Sequence, residues 1–311
     1  MGWAVDSAIE VFKKSFDYKN IWFSYFLLLI ISLIVAGIIL IVVVGIPAVI
    51  IFSKYLVLYS QYASATGSPE LAALGTIAAL LQALPQIMIA LVAIAIAYFI
   101  VYSLWDAFLS GLQLNIALDY LKKGKFSIGS ASTKTKPRFI TLFALSIIFS
   151  ILVFILALVL FLPLLSSVLG VINQLSAGAV SGLPAPQDTA LWVNIVLQTA
   201  FAIFVFGIVM FLAAPFLAMI APVALFEKRG IGASIRRIIE LGKKGYLSTL
   251  GYVILIGLVM LVVSWVLGLV QVALMPIPFA GLVITAVLSI WSMAYISLAL
   301  AKLYQVKASM R

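Results

Sequence analysis

Four polar residues stand at three- and four-residue spacing inside a long apolar run, "YFIVYSLWDAFLSGLQLNIALDYLKK", residues 98–123. They are Ser103, Asp106, Ser110 and Gln113, and at 100° per residue they share one helix face. Asp106 lies sixteen residues before Lys122. That is roughly 24 Å along a helix at 1.5 Å per residue, inside a bilayer and off centre toward the outer side. A carboxylate there is costly and marks a functional site by default. Three readings fit: a hydrogen-bonding Asp that glues helices inside the bundle, a proton or ion site, or a helix projecting far enough for Asp106 to reach water. Lys54 is a candidate partner for Asp106, or snorkels at the end of its own helix. Pro215 and Pro222 each remove a backbone donor and are hinge candidates in a later apolar run. Asn194 and Gln198, four apart, suit hydrogen bonds between helices.

Other chemistries lack their residues. The chain has no Cys and no His. Thiol nucleophiles, disulfides, Cys/His metal sites and His-based acid–base catalysis are excluded. No phosphate-binding loop, dinucleotide glycine pattern, zinc motif or catalytic triad is present. The connections between apolar runs are too short for a separate enzymatic domain. The expectation is a protein that is not an enzyme, with no catalytic residues, metal site or cofactor.

Composition names the solvent. Of the 311 residues 66% are apolar and 9% charged, far from the roughly 45–50% and 25% of soluble domains. Such a chain is an all-α, polytopic membrane helix bundle forming a single integral membrane domain over residues 1–311. Its apolar runs predict six crossings, at about 20–52, 86–121, 138–162, 190–226, 246–275 and from the turn "MPIPFAG" to about 304. Several exceed the ~20 residues a bilayer needs and must tilt, kink or project. A break at Gly45-Ile46-Pro47 is the alternative for the first. Ser68-Pro69-Glu70 predicts a helix start. The "ELAALGTIAALLQAL" after it suits a helix flat on the outer surface, and "LLSSVLGVINQL" the same in the second outer connection.

Charge sets orientation. Six crossings place every basic cluster on one side and leave Lys54 on the other. Cytoplasmic loops carry the Lys/Arg excess, so both termini are expected in the cytoplasm of a cell bearing this multi-pass protein in its cytoplasmic membrane. The net charge of +10 is mostly this bias. A nucleic-acid surface is disfavoured. Membrane lipids are the expected partners, with other membrane proteins or further copies of the chain as alternatives.

Three segments place basic residues ahead of an apolar run: "SAIEVFKKSFDYKNIW", "SIGSASTKTKPRF" and "GASIRRIIELGKKGYL". Aligned with Ala8 against Ala233 and Lys19 against Lys244, they read as three repeats, roughly 1–121, 122–226 and 227–311. Each would be a short amphipathic helix in the interface followed by two crossings. Lys13, Lys14, Lys134, Lys136, Arg138, Arg236, Arg237, Lys243 and Lys244 would then face lipid headgroups. Ile235, Ile238, Ile239 and Leu241 would face inward, and Gly242 and Gly245 suit a bend into the bilayer.

The third segment, with Pro222, Glu227, Gly232-Ala233 and Leu241-Gly242-Lys243 ahead of an apolar run, resembles the six-helix membrane domain associated with glycerophosphodiester phosphodiesterases and its stand-alone prokaryotic relatives. The motif covers about thirty residues and the topology most of the chain. The resemblance implies a membrane module. The hydrolase of those fused enzymes would need carboxylates and His in a metal site, which these residues do not supply. The expected function is a non-catalytic membrane scaffold or lipid-interacting subunit of a larger assembly. The alternative is a permease or channel for a small solute, ion or polymer, with Asp106 as its polar site.

Overall fold

The computed structural model describes residues 2–17, 21–181, 189–227, 229–274, 276–277 and 279–309. Lys19, Lys228, Arg311 and most of the "SGLPAPQD" stretch lie outside them. The described chain is helical throughout: α1 (Gly2–Ser15), α2 (Phe23–Leu40), a π-helical turn (Ile41–Gly45), α3 (Ile46–Thr66), α4 (Pro69–Lys123), α5 (Ile128–Thr135), α6 (Phe139–Ser181), α7 (Thr189–Leu217), α8 (Ile220–Phe226), α9 (Ile231–Lys243), α10 (Tyr246–Ala273) and α11 (Ala280–Ser309). Six stretches are long and apolar enough to cross a membrane: Phe23–Ala65, Ile89–Lys123, Phe139–Val168, Val193–Phe226, Tyr246–Ala273 and Ala280–Ser309.

Gly45-Ile46-Pro47 does not break the first of these. Pro47 lacks the N–H that would reach Val43, and its ring would clash with that carbonyl. The chain widens by a π-turn instead, Ile46 N–H reaching Ile41 O, and stays helical to Thr66. The turn falls at Gly67, whose φ of 63° is cheap without a Cβ. Pro69 then opens α4 as expected. No separate surface helix follows: α4 runs unbroken for 55 residues, roughly 80 Å, into the second crossing. "LLSSVLGVINQL" likewise continues α6. Two apolar helical hairpins, α3–α4 and α6–α7, therefore outreach the α10–α11 pair. A chain this apolar keeps its backbone bonded by extending helices, because an irregular loop among apolar side chains would strand its polar groups.

Packing is concentrated at the basic ends. The buried core joins Ala4, Ala8 and Val11 of α1, Tyr25 of α2, Leu112 and Ile116 of α4, Leu142 of α6, Val223 of α8, Ile238 and Leu241 of α9, Tyr252 of α10, and Trp291, Tyr295 and Leu298 of α11. Away from that end the helices expose Val49, Phe52, Ile89, Phe154, Phe204 and Trp265. Outward apolar side chains are what a hydrocarbon solvent permits.

Candidate functional site

The short helices α1, α5 and α9 cover the basic end of the bundle. α9 buries Ser234, Ile238, Leu241 and Gly242; α5 buries Ala131 and Thr135; α1 buries Ala4, Ser7, Ala8, Val11 and Ser15. Ile235 is half-buried and Ile239 exposed, so the inward face of α9 is narrower than expected. α9 and α10 are not one straight helix. Gly245, at φ 56°, turns the chain between them. Gly242 does not bend. It stays helical and lets Phe216 pack close: a Cβ there would stand 2.3 Å from Phe216 Cδ1.

Each short helix is tied by an ion pair to the basic end of a membrane-crossing stretch. Lys134 on α5 donates to Asp119 Oδ1 on α4 at 2.7 Å. Arg237 Nε on α9 donates to Glu227, just past α8, at 2.9 Å, and its Nη1 to Glu240 at 2.6 Å. Glu10 on α1 pairs with Lys302 on α11 at 2.6 Å and with Lys14 at 2.9 Å. Lys302 and then Lys14 hold the Glu10 carboxyl below the usual carboxylate range against the opposing effect of burial. The hydrogen bond from Arg237 does the same for Glu240. Lys14, Lys134 and Arg237 are thus engaged with carboxylates. Lys13, Lys136, Arg236 and Lys243 are exposed; Arg138 and Lys244 are half-buried.

Asp106 does not line the large apolar groove described below. Asp106 itself is exposed on the flank of α4, and Ser103, Ser110 and Gln113 are half-buried beside it. Of the three readings of Asp106, a place inside the bundle is the one its exposure does not fit. The inward faces of this part of α4 carry Ala107, Leu112, Asn115 and Asp119 instead. Asn115 donates to Thr135 Oγ1 at 3.0 Å and so joins α4 to α5. Lys54 is no partner for Asp106. Tyr62 packs on Gly75, which sets the α3–α4 register and puts Lys54 opposite about residue 83, roughly 34 Å along α4 from Asp106.

A large concavity elsewhere on α4 is apolar. A groove of about 1280 Å³ lies between α4, α6 and the α7–α8 junction, lined by residues including Val92, Ile96 and Phe99, Phe154, and Leu217 and Ile220. Its base is the break in the fourth crossing. α7 passes through Pro215 and stops at Leu217; α8 restarts at Ile220 with Pro222 in its first turn. Met219 N–H reaches back three residues to Phe216 O, and Pro222 has no N–H to offer Ala218 O.

No family model, curated protein or solved structure matches this chain.

Other polar residues serve packing. Ser167 donates to Gln198 Oε1 at 2.9 Å, joining α6 to α7, and Gln198 meets Asn194 at 3.4 Å. Ser289 and Ser292 bond carbonyls of their own helix rather than a neighbour. An aromatic clamp joins α1 to α11. Trp291 is buried, donates to Ser15 Oγ at 3.1 Å and stacks on Tyr295 at 4.9 Å, while Phe12 and Phe16 pack edge-on or tilted against the pair. The i, i+4 spacing of aromatics on both helices was the available signal.

Proposed function

We propose that the protein is a non-catalytic multi-pass membrane protein that binds lipid, acting as a scaffold or lipid-interacting subunit. The observation that carries this is the set of exposed cations Lys13, Lys136, Arg236 and Lys243 on one end of the bundle, the end from which six apolar helices extend. A cation near an anionic bilayer surface contributes about 1 kcal/mol. The basic end is the cytoplasmic one under the positive-inside rule, which puts both termini inside.

A three-fold repeat belongs to this reading. The buried residues favour a register two residues away from the sequence alignment: Ser7, Ala131 and Ser234 in one column, Val11, Thr135 and Ile238 in the next. The ion pairs follow the same order. α5 is held by the helix before it, α9 by the helix before it, and α1 by the last helix, which closes a ring. The resemblance to the membrane domain associated with glycerophosphodiester phosphodiesterases fits a module of this kind.

The test is lipid retention. The purified chain, reconstituted with equal phosphatidylglycerol and phosphatidylcholine and re-extracted, retains the anionic lipid preferentially, and the pair Arg236→Glu with Lys243→Glu loses that preference. Equal retention of both lipids by the unaltered protein defeats the reading. Solute flux into vesicles that stops with Asp106→Asn and Asp106→Leu would favour the permease alternative instead.

A further inference from the structure

We propose that the α4 groove and the Asp106 stripe form one site, which binds a phospholipid bearing a primary amine in its headgroup. One acyl chain occupies the groove and the ammonium meets the Asp106 carboxylate. The proposal rests on the reading that the protein binds lipid and names the lipid.

The first argument is continuity. Val92, Phe99, Asp106 and Gln113 recur every seven residues, as do Ile96, Ser103 and Ser110. Residues seven apart lie nearly above one another on a helix. The first members of both rows line the groove, and the later members are the polar stripe. One wall of α4 thus changes from hydrocarbon to hydroxyl, carboxylate and amide along its length, the polarity of a single amphiphile.

The second is an unmet need. Among the described residues, the side chains of Ser103, Asp106, Ser110 and Gln113 make no hydrogen bond or ion pair, although Asp106 lies within a membrane-spanning stretch. A carboxylate facing lipid is expensive unless a donor meets it. An ammonium headgroup supplies three N–H donors; a trimethylated one supplies none.

The third is depth. Tyr25 donates to Gln113 O at 2.9 Å and lies beside Ser297, which puts α2, α4 and α11 at one level. From Ser297 to the start of α11 at Ala280 is roughly 26 Å, about one hydrocarbon thickness. Asp106 is roughly 10 Å outward of Gln113, in the half of the span nearer the basic end and not the outer half expected from its distance to Lys122, and Ile96 is roughly 15 Å farther. A lipid from the leaflet on the basic side, drawn somewhat inward, would put its head beside Asp106 and Ser110 and its tail in the groove. The groove walls carry only two hydroxyls, Ser146 and Ser150, among otherwise apolar side chains, which suits a chain and not a solute.

The experiment reconstitutes the full chain in vesicles of equal phosphatidylethanolamine and phosphatidylcholine with matched acyl chains, re-extracts it in mild detergent and measures retained lipid by mass spectrometry. The expected result is about tenfold enrichment of the ethanolamine lipid, the scale of a charged hydrogen bond. Asp106→Asn should bring the two lipids near parity by lowering the ethanolamine lipid retained while leaving the choline lipid as it was. Ala157→Phe, which fills the groove, should reduce both lipids. Monodisperse elution and unchanged thermal unfolding identify variants that fold; if Ala157→Phe does not, Asp106→Asn still decides. Equal retention by the unaltered chain, or undiminished ethanolamine preference in Asp106→Asn, overturns the proposal. Both lipids here are zwitterionic, so the outcome is independent of the anionic-lipid preference that tests the broader reading.

Discussion

Gly242 and Glu10 show how much a single residue decides at the basic end. Gly242 is helical, so its value lies in having no side chain: any Cβ collides with Phe216. Gly242→Ala should destabilise the protein by about 1–3 kcal/mol, the usual cost of overpacking. Adding Phe216→Leu should recover part of the loss in thermal unfolding; no recovery would mean that Phe216 is not the obstacle. Glu10 makes a prediction about pH. Its folded carboxyl is held below the ordinary range, chiefly by Lys302, so its contribution is present above the unfolded carboxylate pKa near 4.3. It is lost as pH falls through the lower, folded value. Stability should therefore drop on acidification, and Glu10→Gln should lower stability at neutral pH while flattening that acid limb. An unchanged acid limb in the variant would remove Glu10 from the explanation.

At the level of elements, the fourth crossing is interrupted where two prolines nearly coincide, and they do different work. Pro215 sits inside α7, which continues past it. Pro222 denies a donor to Ala218 O, right at the break. Pro222→Ala should let α7 and α8 join, and Pro215→Ala should leave the break in place. Spin labels at Phe204→Cys and Glu227→Cys would report the joining as a longer distance. Equal distances in both variants would show that tertiary packing around Met219, which is fully buried, holds the break without help from Pro222.

For the whole molecule, the absence of native Cys makes topology directly measurable. Lys13→Cys and Ser130→Cys, both exposed at the basic end, should be labelled by an impermeant thiol reagent from one side, and Ser64→Cys, exposed near the α3–α4 turn, from the other. Labelling of Ser64→Cys from the same side as Lys13→Cys would refute the arrangement. What the sequence by itself determined was the class of solvent, the number of spanning helices and the places where short basic helices precede long apolar ones. Those follow from composition and local period, which act on every residue regardless of its distant neighbours. Only the tertiary structure decided the rest. Apolar runs do not say whether a segment such as 71–85 lies flat or extends its helix, because both keep the backbone bonded. Helical spacing put Ser103, Asp106, Ser110 and Gln113 on one face but left open what that face meets, since in a hydrocarbon solvent hydrophobicity does not distinguish the bundle interior from lipid. The pairing of Glu10 with Lys302 joins residues near opposite ends of the chain, and no local pattern encodes it.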